Sequence, residues 1–241
     1  MTARNRKTHG FTLLELLVVV SIIALLIAIL LPALSMVRRR AKGIGCMSNV
    51  RQIQTAFAAY LVDYDQRMFW RGDSIPNDGM EWHAFGGRET GNPTNRQLDL
   101  FNRLTPRPLN PYMDGNTEVF RCTEDVGAWP EVDNDPGFTG TDTDISHYEW
   151  VGNSYGFNAT GFPTSSPLPN IGLSGKRHEL LKDPSRTVLF LDASVLKSLY
   201  VPTSEIWHLN DKGHVGLADG HVEFLGLPPY DGPNPYLWNP S

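Results

Sequence analysis

Basic charge is in the minority in this sequence. Lys and Arg number 21 against 26 Asp and Glu, for a formal net charge of −5. The acid excess leaves no electrostatic footprint for nucleic acid, so no nucleic-acid partner is expected. No nucleophile elbow, glycine-rich phosphate loop or H-E-x-x-H stretch occurs. Without them no nucleophile, phosphate cradle or catalytic metal can be placed, and the chain is read as a non-enzyme. No internal repeat interrupts its 241 residues.

The most pronounced scarcity is local. Between Phe11 and Leu31 the sequence carries one charged residue, Glu15. As a helix this run spans about 31 Å at roughly 1.5 Å per residue, enough to cross a hydrocarbon core. It is too long for the apolar region of a secretory signal and is not closed by an A-x-A-like site, so it is expected to be retained. Arg4, Arg6 and Lys7 precede it and Arg38, Arg39, Arg40 and Lys42 follow. That balance does not orient the span by the positive-inside rule. A carboxylate within such a run costs about 2.5–3.5 kcal/mol on insertion scales, so Glu15 points to a function beyond anchoring.

GFTLLELLVVVSIIALLIAILLPAL, from Gly10 to Leu34, resembles the signal of type IV prepilins and type II secretion pseudopilins. The resemblance implies a leader over residues 1–10, cut after Gly10 by a membrane prepilin peptidase that also methylates the new amine of Phe11. It implies assembly with other pilin-like subunits, in which Glu15 of one subunit neutralises the Phe11 amine of the next. Pro32 lies where many pilins carry a proline and is expected to kink the helix. CMSNVRQ from Cys46, FRCTED (Phe120–Asp125), NSYGFN (Asn153–Asn158) and DPSRTVLFLD (Asp183–Asp192) are similar to elements of a bacterial prepilin-like group with a C-terminal H-x9-D-G motif. Here ADGHV, with Asp219, Gly220 and His221, matches that motif, while ten residues rather than nine separate His208 from Asp219.

Apolar residues then recur at helical spacing from Leu34 through Val37, Ala41, Ile44, Met47, Val50, Ile53, Phe57 and Tyr60 to Tyr64. Residues 11–31 are thus read as the transmembrane half of one helix, 32–64 as its amphipathic half, and 65–241 as a soluble domain. GNTEVFRC suggests a short strand and NRQLDLFNRL a helical turn. RTVLFLDA reads as a central strand, and GHVGLADGHVEFLG as a hairpin about a two-residue turn at Asp219-Gly220. The fold class expected is α+β, a long N-terminal helix packed on a small antiparallel sheet with long loops, as in pilins.

The remaining residues give weaker signals. With that turn, His214 pairs with Leu225 and stands four residues from His221 along one face. That is about 13 Å at roughly 3.4 Å per residue, too far for one metal, so the histidines are read as surface or edge residues and no metal is assigned. Asp133, Asp135, Asp142 and Asp144 cluster in a Gly-containing loop that could offer oxygens to calcium, but D-x-D-x-D-G spacing is absent and a solvated loop is preferred. Cys46 and Cys122 are an even pair and, if exported, would form a disulfide.

The implied location is the bacterial inner membrane, single-pass, with the C-terminal domain periplasmic or, after assembly, extracellular. The leading reading is a pilus or secretion-pseudopilus subunit that contacts neighbours or secreted cargo. Its rivals are an adhesin-like minor subunit, with Trp70, Trp82, Trp129 and Trp150 lining a glycan-binding groove, and a membrane-tethered hydrolase.

Overall fold

The computed structural model describes residues 12–69, 81–89, 106–126, 146–159, 172–198, 207–208, 212–227 and 236–237. Two compact units divide at Ala41 and Lys42. Helix α1 (Leu13–Asp63) supplies the described part of the first and the opening of the second.

In the first unit, leucine, isoleucine and valine point outward around the whole helix, from Leu13 to Val37. None of the most apolar window is buried, and the helix is long and apolar enough to cross a membrane. A helix hydrophobic on every face belongs in lipid or in a larger protein core. Pro32 lies inside α1 and interrupts the hydrogen-bond ladder without ending the helix. The Ser35 hydroxyl donates to the Pro32 carbonyl at 2.8 Å.

In the second unit the same helix becomes one-sided. Cys46, Val50, Ile53, Ala56, Phe57, Tyr60 and Leu61 are buried, spaced by three or four residues as a helix face requires. The buried stripe begins later and runs slightly differently than expected, since Ile44 and Tyr64 are exposed. It lies on a four-stranded antiparallel sheet in the order β1 (Tyr155–Phe157), β2 (Val188–Asp192), β3 (Gly213–Leu217), β4 (Val222–Leu225). Phe57 packs edge-on to Phe190 at 5.4 Å and to Phe69 at 5.1 Å. Gly216 of β3 sits so near α1 that a Cβ there would approach Gln54 Nε2 to 2.6 Å and Val50 Cγ1 to 3.1 Å. Gln54 itself donates to the Leu217 carbonyl at 2.8 Å, joining helix and hairpin.

RTVLFLDA is the central strand expected, with every residue of β2 buried. The hairpin also forms, but shifted by one residue, with His214 opposite Phe224 and Gly213 opposite Leu225. Gly220 has φ +97°, whereas Asp219 is not among the positive-φ residues. A two-residue type I′ turn needs positive φ at both centres. The chain instead closes with Gly220 N–H donating to Leu217 and Leu217 N–H to His221. That is the three-residue loop with glycine in the left-handed position. His214 shares its face of β3 with Gly216, the face that meets α1, and is buried there, with Phe224 now opposite it.

Other expectations change as well. Thr117–Phe120 is a 3-10 turn, not a strand, because the Asn116 side chain accepts the Glu118 N–H and starts a helical turn. The expected turn at NRQLDLFNRL, the four clustered aspartates, Trp70 and Trp129 lie outside the described residues, as do the side chains of Trp82 and Trp150. Two short helices, α2 (Glu81–Ala84) and α3 (His147–Val151), complete the core. A capping box of Ser146 and Glu149 starts α3, and a further helix, α4 (Ala193–Ser198), follows β2 directly.

Between α2 and α3 the rings of His83 and His147 stack edge to face at 4.4 Å, both fully buried. Burial pulls both imidazoles below their ordinary value, and for His83 the neighbouring His147 adds to the effect. The folded chain therefore holds them neutral while the unfolded chain protonates them below about pH 6.5. Stability should fall as pH drops from 6.5 to 5, by up to about 1.4 kcal/mol per unit for each histidine. Urea unfolding across that range checks this; a slope that survives the double exchange His83→Gln, His147→Gln would contradict it.

Candidate functional site

Two constellations carry chemistry. The first opens α1. Thr12 Oγ1 accepts the Glu15 N–H at 3.2 Å, and Glu15 Oε2 accepts both the N–H and the hydroxyl of Thr12 at 2.9 Å. This is a reciprocal capping box, which satisfies two of the N–H groups that a helix start leaves unpaired. The T-x-x-E spacing is a sequence signal of a helix start that the reading of Glu15 as an inter-subunit partner passed over. Glu15 thus has a local partner within its own chain in addition to the role expected between subunits. Gly10 and Phe11 lie outside the described residues.

The second constellation is buried where α1 meets the sheet. Cys46 comes from α1, Cys122 and Glu124 from the loop after the 3-10 turn, Asp192 from the end of β2, His208 from the segment before β3 and His214 from β3. Cys46 and Cys122 are buried side by side as free thiols, so the expected disulfide is not shown. They are adjacent, but each also meets other partners. Their sulfurs and a His208 nitrogen all lie within 4.8 Å of one another. Cys122 Sγ is 3.5 Å from His208 Nε2.

His208 is held from both sides. Its Nδ1 bonds Glu124 Oε2, and its Nε2 lies 3.0 Å from Asp192 Oδ2. Asp192 Oδ2 also accepts the His214 backbone N–H at 2.5 Å and faces His214 Nδ1 at 3.1 Å. Asp192 Oδ1 is buried with no hydrogen-bond partner among the described residues. The loop that brings in Cys122 is firmly placed: Asn49 Nδ2 donates to the Arg121 carbonyl at 2.9 Å, and Asp125 accepts the first two N–H groups of α3 at 2.8 Å.

Electrostatics follow the geometry. Burial favours neutral His208, but the hydrogen bond to Asp192, its charge and the Glu124 contact outweigh burial and push the imidazole up to about 9. Burial likewise opposes the Asp192 charge, and the two histidines overcome it, holding the carboxyl below its usual range. Cys46 is drawn down to about 6, chiefly by a hydrogen bond from Cys122. Cys122 is pushed up, first by burial and then by that same bond. The backbone N–H of Thr123 serves Cys46 and that of Glu124 serves Cys122.

Sequence reasoning had treated His208 and His214 as surface or edge groups and had ended the metal argument at the hairpin. The structure buries both, with their rings 4.5 Å apart. His221 stays at the surface, bonded to Asp219 in the turn. Among the described residues, the groups spaced to hold a metal are Cys46, Cys122 and His208, and Asp192, His208 and His214. Glu124 and Asp192 lie within the quoted elements FRCTED and DPSRTVLFLD, but were given no role there, because distant segments have to meet before that role exists.

Residues 5–31 match the family described as the prokaryotic N-terminal methylation motif. The chain is 32% identical over 93 residues to competence protein ComGC of Halalkalibacterium halodurans, covering 39% of this chain and 84% of that protein. No solved structure matches. With its N-terminal apolar helix and small antiparallel sheet, the chain belongs to the type IV pilin-like proteins. It is a membrane-anchored, structural, pilin-like protein.

Asp192→Asn would leave the His208 imidazolium with half of its compensation inside the core. Breaking a buried ion pair from one side costs about 3–5 kcal/mol. A loss of that size is expected in urea unfolding under reductant and chelator, and a loss under about 1 kcal/mol would contradict the pairing described.

Proposed function

We propose that this chain is a structural subunit of a pilus or secretion pseudopilus, cut after Gly10, methylated at Phe11 and polymerised through the first half of α1. The observation that carries this reading is the apolar helix matched to the methylation motif and broken by a single carboxylate. The span sits in the bacterial inner membrane with the sheet domain on the periplasmic side, and outside the cell once assembled. A prepilin peptidase and other pilin-like subunits are its partners, and secreted cargo is a further contact of the exposed domain.

Physically, cleavage creates a cation at Phe11 beside an apolar span. In a filament core that amine needs an anion, and Glu15 of the adjoining subunit supplies it. A buried pair of this kind is favourable only when both charges are present and well placed, so it fixes axial register. The capping box gives Glu15 its place within its own helix. Assembly then draws the same carboxylate toward a second donor.

Two substitutions separate these duties. Glu15→Leu removes charge and cap together. Glu15→Gln keeps an oxygen able to accept the Thr12 N–H and removes only the charge. Both proteins should be cut normally and accumulate in the membrane, since the insertion cost of the charge disappears. Both should fail to polymerise, because each added subunit would bury an amine uncompensated at several kcal/mol. Electron microscopy and crosslinking read the outcome. Normal filaments from Glu15→Gln would overturn the charge-pairing role.

A further inference from the structure

We propose that Cys46, Cys122, His208 and Asp192 bind one zinc ion that fastens α1 to the sheet. The argument begins with spacing. Ligand bonds near 2.3 Å for sulfur and 2.0–2.1 Å for nitrogen put two corners of a tetrahedron about 3.6 Å apart. Cys122 Sγ and His208 Nε2 are 3.5 Å apart, and Cys46 Sγ completes a triangle within 4.8 Å. Asp192 Oδ2 stands 3.0 Å from the same nitrogen, in an adjoining triad with His208 and His214, and is the donor proposed to close the tetrahedron. Oδ1 of that carboxylate is a buried acceptor with no hydrogen-bond partner among the described residues.

The surroundings are those of a built site. A ligating imidazole ordinarily gives its other N–H to a carboxylate, which fixes the ring and its tautomer. Glu124 holds His208 Nδ1 in that way, buried beside it. Asp192 is oriented in turn by the backbone N–H and the ring of His214. Both sulfurs receive a backbone N–H, from Thr123 and Glu124. Two carboxylates and two thiols surround one ligating imidazole, so the cluster is short of positive charge, and a divalent cation supplies it.

Donor chemistry selects the ion. Calcium and magnesium take oxygen ligands. Two thiolates, one imidazole and one carboxylate, all on buried residues, suit zinc, which has no geometric demand beyond four ligands and no redox chemistry of its own. On binding, both thiols and His208 Nε2 give up any protons they carry to solvent, and no electron moves. A Cys46–Cys122 disulfide is the competing fate of the same sulfurs. It would occupy two of the four ligands and leave the His208–Asp192–Glu124 array without its cation.

The ligands come from α1, the loop after the 3-10 turn, β2 and the segment before β3. The ion would therefore close loops between distant parts of the chain and act as a staple.

The test uses the full processed chain in detergent, reduced, freed of metal and titrated with cobalt(II) and then zinc. One equivalent of cobalt should produce thiolate-to-cobalt charge-transfer absorption and the intense visible bands of a tetrahedral site, displaced by one equivalent of zinc. Cys122→Ser should abolish the charge-transfer bands of the two-thiolate site. Glu124→Gln retains all four ligands and should weaken zinc about 10–100-fold. Absence of the cobalt spectrum in the reduced wild-type chain would overturn the proposal. So would a spectrum unchanged by Cys122→Ser, or zinc affinity unchanged by Glu124→Gln. Filament formation is not part of the readout, so failure here is distinguishable from failure of the assembly reading.

Discussion

One helix has to satisfy two different surroundings, and the rest of the structure follows from that demand. Through Val37 helix α1 shows apolar side chains all round. From Cys46 onward it buries one face and exposes the other. Lipid offers no water to pair stray backbone groups, so the first part must be an unbroken helix whose own start is capped. The sheet domain offers only one contact surface, so the second part must be amphipathic. Small residues matter at that contact. Gly216 admits the side chains of Gln54 and Val50 directly onto β3, and the Gln54 amide then bonds the hairpin turn.

Burying α1 against so small a sheet also brings together polar groups that water would otherwise separate. Cys46 faces the end of β2, where Asp192 stands, and Asp192 gathers His208 and His214. Charge is expensive here unless matched, which is why the imidazole is raised and the carboxylate lowered. The loop bearing Cys122 brings its own second carboxylate, Glu124, and is tied to α3 through Asp125. The cluster, like the Gln54 bond to the hairpin, links the helix to the sheet by specific, directional contacts amid aromatic and aliphatic packing.

Much of this was legible in the order of residues. The apolar run, the later helical stripe, the strand around Phe190 and the hairpin each have a period or a turn signal of their own, and each formed. The errors share a cause. Asp219-Gly220 is compatible with two loop lengths, and only the backbone angles of Gly220 and Asp219 decide between them; the one-residue difference put Phe224 rather than Leu225 opposite His214, while the face of His214 was misassigned because α1 packs on the Gly216 side of β3. Thr117–Phe120 has strand-like residues, yet the local bond from Asn116 prevails. The members of the Cys–His–Asp cluster lie in or beside separate quoted motif segments, and nothing in any one of them says that tertiary packing brings them to one place. In contrast, the Thr12–Glu15 capping box is fully local and its T-x-x-E spacing is a signal of it, although the sequence reading had weighed Glu15 only as a charge in an apolar run.

The central claim is that the chain is a processed, pilin-like subunit, and the covalent state of its N-terminus tests that most directly. Intact-mass measurement and N-terminal sequencing of the protein from cells carrying a prepilin peptidase should find a chain that begins at Phe11 with a methylated amine. A chain that begins at Met1, or one cut beyond the apolar run at Leu31, would contradict the account.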